Sequence, residues 1–200
     1  MMGRKSPLCL VILACALSAC GMQYTGQAKT LPAETLRAEP GWSYVPGLRG
    51  IRQESEKDCG SAVLASVLQY WNVHTSREAL VADIGPKRAS MGELRELSHK
   101  HGMQAYVVPG TWDDLVHEVA KQRPVVIGVL QPHGRESLTH YEVVVGIHAT
   151  TNRVATFDPA RGLRVRTRKA LMSEWGPTKQ VALVILPSTR TSALTREARE

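Results

Sequence analysis

A chain of 200 residues suits one domain and is long enough to bury a substantial core without disulfide staples. Lys plus Arg number 25 against 18 Asp plus Glu, a formal charge of +7. That is mildly basic and falls short of a nucleic-acid footprint, so no nucleic acid is expected as partner.

The first stretch, "MMGRKSPLCLVILACALSAC", has a basic start, an apolar run too short to span a bilayer comfortably, and small residues at its end. It reads as an export signal over residues 1–19. Leu17, Ser18, Ala19 and Cys20 resemble the bacterial lipobox, in which the chain is cut before the cysteine and the thiol receives lipid. Acyl chains on Cys20, each adding about 0.8 kcal/mol per buried methylene, would hold the protein on a membrane. By resemblance to bacterial lipoproteins, the lack of Asp at position 21 favours the periplasmic face of an outer membrane. An ordinary cleaved signal, or an uncleaved anchor with Cys20 idle, is the plainer alternative.

Residues 20–45 mix Gly, Gln, Thr and Pro without sustained periodicity and read as a lipidated cysteine and flexible tether. The folded domain is expected over 46–188, with a polar tail at 189–200. Ser61 to Trp71 is apolar on nearly every side, which predicts a helix buried in the centre of the domain. Further helices are predicted from about Arg77 to Ile84, over "SMGELRELSHKHG" behind a Ser90 cap with Glu93 three residues on, and over "TWDDLVHEVAKQ" behind Thr111. After Pro124 come "PVVIGVL", "HYEVVVGI", "RVATFDP", "LRVRT" and "VALVILP", short β-branched runs that read as antiparallel strands. "HATTN" between the second and third is a fair hairpin loop. The fold class is therefore α+β, a helical first half with a buried central helix and a sheet second half. In "RGLRVRTRK", arginines alternate with Leu163, Val165 and Thr167, as on a strand with one solvated face.

Cys9 and Cys15 leave with the leader and Cys20 carries lipid, which makes Cys59 the one thiol of the mature protein left over. A thiol acts as nucleophile only when ionised. The helix that follows Cys59 would aim its unpaired amides and positive dipole end at the sulfur. His140, at the start of "HYEVVVGI", is a candidate base and acid, and Asp158, from the neighbouring hairpin strand, could hold the imidazole tautomer. The Gln53 side-chain amide and the Cys59 backbone amide could serve a developing oxyanion. Each residue also has a duller explanation: core cysteine, turn histidine, Asp before Pro, loop amide.

Taken together, "QESEKDCGSAVLASVLQYW", "HYEVVVGI" and "FDPARG" resemble the bacteriocin-processing, double-glycine leader peptidases, which are papain-like cysteine peptidases. The likeness covers roughly residues 50 to 187. It implies a papain-like fold, a peptide or protein substrate, no metal and no organic cofactor. Residue by residue, it makes Cys59 the nucleophile, His140 its base and acid, Asp158 the orienting acid and Gln53 the oxyanion-hole amide. Two departures stand out. No nucleotide loop of the form "GxxxxGK" and no membrane bundle follows in these 200 residues, so a leader ending in paired glycines is not assumed. Glu142 stands where relatives mostly carry an apolar residue, two places after His140 and so on its strand face, either near the cleft or toward water.

The remaining histidines carry less. His99 and His101 bracket a helix end with no third or fourth metal ligand in view, and His74, His117, His133 and His148 read as loop or surface positions. The expected function is a membrane-anchored, exported cysteine peptidase. A papain-like cell-wall endopeptidase, or a non-catalytic papain-like module of a secretion or envelope complex, is the alternative.

Overall fold

A helix with no polar stripe must be covered on all sides, and α2 (Cys59–Tyr70) is: every residue from Cys59 to Leu68 is buried. In the computed structural model, which describes residues 27–133 and 136–188, this helix lies against an antiparallel sheet. The expected leader, Cys20 and the tail at 189–200 lie outside the described residues. Among the described residues no helix is long and apolar enough to cross a membrane.

The helices expected at Arg77–Ile84 (α3), Met91–Lys100 (α4) and Trp112–Ala120 (α5) are present. Ser90 with Glu93, and Thr111 with Asp114, form reciprocal capping boxes that satisfy the first amides of α4 and α5. Five strands carry the second half: β4 (Val125–His133), β5 (Glu136–His148), β6 (Arg153–Asp158), β7 (Gly162–Thr167) and β8 (Val181–Pro187). β5 and β6 form the expected hairpin.

The division into a helical and a sheet half is less clean than the sequence suggests. β3 (Met103–Pro109) pairs with β8 at one edge, and α6 (Arg168–Trp175) interrupts the strands behind a Thr167 cap. β3 shows a weak alternation with Tyr106 and Val108 exposed. α6 opens on Arg168 and Lys169, against the helix dipole, which hides it from pattern reading. Pleat alternation divides the core in two. Tyr141, Val143 and Val145 of β5 face α2 and α4, whereas Ile127 and Val129 of β4 face Trp112, Leu115, Leu171 and Trp175 of α5 and α6.

Three expectations are corrected. The segment up to residue 45 is not all tether: β1 (Lys29–Thr30) pairs with β7, a short helix α1 (Thr35–Ala38) follows, and β2 (Trp42–Tyr44) pairs with the end of β5. Strands of two and three residues are too short to leave a periodic signal. Trp42 is buried edge-on against His148, ring centroids 5.4 Å apart, with the Arg153 guanidinium 5.2 Å over its ring. His148 is thus buried instead of lying at the surface. Nor does His140 open its strand. β5 begins at Glu136, because "ESLT" extends the ladder with β4 as far as His133 while carrying little apolar signal.

Trp42→Ala is expected to cost about 3–5 kcal/mol, as for a buried aromatic, in urea unfolding of the full chain. A residue in a free tether would change nothing.

Candidate active site

The β5–β6 ladder ends at the Val143–Phe157 pair. β6 ends one residue later, at Asp158, and His140 lies three positions back along β5 from Val143. The N-terminus of α2 enters there: Cys59 is its first residue, and the Cys59 and His140 side chains are hydrogen-bonded. The other side of the ring is fixed by Asp158, with Nε2 and Oδ1 2.9 Å apart. Cys59 is only 2% exposed and His140 and Asp158 are fully buried. Three of the four residues expected at the site are therefore joined in one run of contacts.

Gln53 lies on the loop that leads into α2. Its backbone amide donates to the Pro159 carbonyl at 3.1 Å and its side-chain Nε2 to the Ser55 carbonyl at 2.8 Å. Asp58 builds this loop by accepting from the Glu54 and Ser55 amides at 3.2 and 3.0 Å, and the buried Arg77 guanidinium pairs with it. Ser66, buried in α2, accepts from the Ile51 amide at 2.8 Å and returns its own hydroxyl to Ala62. Gln53 is thereby stitched to both the Asp158 turn and α2. Gly60 keeps the approach open, since a Cβ there would sit 3.1 Å from Ala89 and 3.3 Å from Tyr141.

Burial is the largest influence on the Cys59 thiol and pushes it up. It is outweighed by the hydrogen bond and charge of His140, the Tyr141 backbone amide and the charge of Arg88, which leave the thiol below its ordinary value. For His140, burial disfavours the charged ring. The bonds to Asp158 and Cys59 and their charges overcome this and raise it to about 9. Asp158 is pulled well below the usual carboxylate range by His140 and Arg161, against the effect of burial. Each partner accordingly favours the charged form of the other, thiolate beside imidazolium.

Sequence reasoning missed the groups behind this run. The Arg161 Nε donates to Asp158 Oδ2 at 2.7 Å. Glu142 neither faces water nor bonds His140: it is fully buried, accepts from Gln131 Nε2 at 2.8 Å, and pairs with Arg166, which also pairs with Glu174. The solvated-face reading of the arginine strand therefore fails at Arg166, whose side chain is inaccessible. Both faces of the strand are covered, with Leu163 and Val165 packed against the core that holds α2 and Arg166 buried on the other side. His140, Glu142 and Asp158 offer ligand atoms within 4.8 Å of one another. Their lone pairs are already spent on Arg161, Arg166, Gln131 and each other, so guanidinium groups supply the positive charge that a metal would bring there.

A buried helix that delivers cysteine to an antiparallel sheet, with histidine and aspartate from two adjacent strands, is the plan of the papain-like cysteine peptidases. The family model described as the peptidase C39 family matches residues 48–190, and the chain belongs to that family. Solved structures agree in fold. The peptidase domain of Streptococcus ComA, a bifunctional ABC transporter, aligns with 22% identity and a TM-score of 0.58, over 69% of this chain and 97% of that one. A double-glycine motif protease from an AMS/PCAT transporter, solved with a leader peptide, aligns with 19% identity and a TM-score of 0.57, over 75% and 96%. A C39-like peptidase from Bacillus anthracis aligns with 16% identity and a TM-score of 0.58, over 72% and 97%. No curated protein sequence matches at a significant level. The chain is a cysteine peptidase.

The ion pair sets the pH dependence of stability. The raised His140 contributes stability that is full below about pH 6.5 and is lost as pH rises through about 9. The lowered Cys59 contributes stability that is full above its ordinary value of 9.0 and is lost as pH falls. Where the folded thiol is ionised within that window, the two slopes oppose each other. Urea midpoints should therefore fall less steeply from about pH 6.5 to about 9 in the parent than without the thiol. In Cys59→Ala, where Asp158 still holds the imidazolium, they should fall as pH rises through that window.

Proposed function

We propose that this protein is an exported, lipid-anchored peptidase that cuts peptide bonds through a thioester on Cys59. The hydrogen-bonded run Cys59–His140–Asp158 carries the reading. The Cys59 thiolate attacks the scissile carbonyl carbon, and the electron pair of the C=O bond moves to oxygen. The Cys59 backbone amide, unpaired at the helix N-terminus, and the Gln53 side-chain amide stabilise that oxyanion. His140, still protonated at neutral pH because it is raised to about 9, passes its proton to the leaving amine as the carbon–nitrogen bond breaks. The ring, now neutral, takes a proton from water. The hydroxide attacks the thioester, the carbon–sulfur bond breaks, and the acid product and the thiolate–imidazolium pair are regenerated. Asp158 keeps the ring in one tautomer throughout.

For substrate, we favour a peptide with small residues before the cut, as in a leader ending in paired glycines. A nucleophile residue that is 2% exposed beside a buried His140 supports this, because side chains flanking the scissile bond would meet those walls. The neighbour solved with a leader peptide supports it by analogy. Membrane attachment through Cys20 rests on the Leu17–Cys20 sequence, and it would place the domain in the cell envelope, at the periplasmic face of an outer membrane.

The purified protein should cleave a peptide after Gly-Gly, and Val-Val at the same place should lower kcat/KM at least tenfold. Cys59→Ala should abolish cleavage, with loss of the acyl-enzyme mass trapped at low pH. Digestion of muropeptides in place of such peptides would replace the substrate. In cells, Cys20→Ser should remove radiolabelled palmitate from the protein and release it from the membrane fraction. An unchanged distribution would refute the anchor.

A further inference from the structure

We propose that Arg161 is a positioning residue for Asp158, held for that task by Gln131 and by a buried Glu142–Arg166–Glu174 ion triplet. The proposal rests on the catalytic reading above.

A carboxylate bonded through one oxygen can still turn about its last carbon–carbon bond. Asp158 uses Oδ1 for His140 and for the amides of Ala160 and Arg161, at 2.9, 2.8 and 3.2 Å. The Arg161 Nε at 2.7 Å holds Oδ2 and so fixes the plane in which His140 is met. The far end of Arg161 is anchored in turn: Nη2 donates to Gln131 Oε1 at 3.1 Å. Gln131 must present its oxygen there, because its Nε2 is committed to Glu142, and a carboxylate can only accept. Glu142 is held by Arg166, which also donates to Thr156 Oγ1 at 3.0 Å and pairs with Glu174. Glu174 finally accepts from the Gln27 amide at 3.0 Å.

This ladder crosses β4, β5, β6, β7 and α6, and its members alternate in phase with the residues facing α6. A buried ion triplet adds little stability over a well-packed apolar set. What this one adds is a fixed direction for the Gln131 amide and separate cations for two carboxylates. Asp158 and Glu142 offer oxygens within 4.8 Å of each other, and each has its own guanidinium, Arg161 on one and Arg166 on the other. The charged and titratable groups that act on the Cys59–His140 pair are Asp158 and Tyr141 from the sheet and Arg88 from the segment before α4, with Arg161 acting through Asp158.

The test is the rate of iodoacetamide addition at Cys59, followed by mass spectrometry of the full chain from pH 4 to 9. The parent should react fast in mild acid. Arg161→Met should move the midpoint of thiolate formation up by about one pH unit, a roughly tenfold slower reaction in mild acid. Gln131→Leu and Glu142→Gln should shift it in the same direction by about threefold in rate, while Arg161→Lys restores less than half. A purely structural role would lower the melting temperature and leave the midpoint in place. Profiles for Arg161→Met and Gln131→Leu that superimpose on the parent overturn the proposal, and Gln131→Leu alone decides if Arg161→Met does not fold. A parent that titrates like free cysteine, near about 8.5, overturns the activated pair itself and the peptidase mechanism with it.

Discussion

A thiolate and an imidazolium can occupy one dry site only if each compensates the other. Cys59 is 2% exposed and His140 not at all, so neither charge could persist alone. Their meeting requires α2, which packs on one face of the sheet, to reach a histidine whose strand phase belongs to the opposite face. They meet where the β5–β6 ladder ends, beyond the Val143–Phe157 pair. Asp158 closes β6, opposite Gly162 of β7, and its carboxylate serves the imidazole.

The helix therefore has two tasks. From Ala62 to Leu68 it is core, and a substitution there acts through packing. At Cys59 and Gly60 it meets the His140–Asp158 pair, where the amides of its first turn and the lack of a Cβ matter more than volume. Asp58 joins the two by organising the Gln53 loop instead of capping the helix with its side chain. Loop, helix start and the turn after Asp158 form one connected unit, laced by the Gln53 amide to Pro159 and by Arg52 to the Ala160 carbonyl.

Much of this was legible in the sequence, for identifiable reasons. α2 shows as an apolar run, α4 and α5 as capping boxes, and Cys59, His140 and Asp158 as dense local motifs. What stayed hidden depends on register or on very short elements. Trp42 looks like a linker residue until β2 is laid beside His148, and α6 has no stripe to betray it. Glu142 and Arg166 are twenty-four positions apart and meet only because β6 lies between their strands. Alternation along β7 reports two faces without saying whether either is wet. An arginine can be the buried member once two carboxylates await it.

Access to the nucleophile is narrow: Cys59 opens a buried helix and is 2% exposed, with His140 and Asp158 inaccessible beside it. A bulky electrophile would have to displace core elements to reach it. A covalent inhibitor for this enzyme should consequently be slender and extended near its warhead, with selectivity gained from groups placed further along the chain.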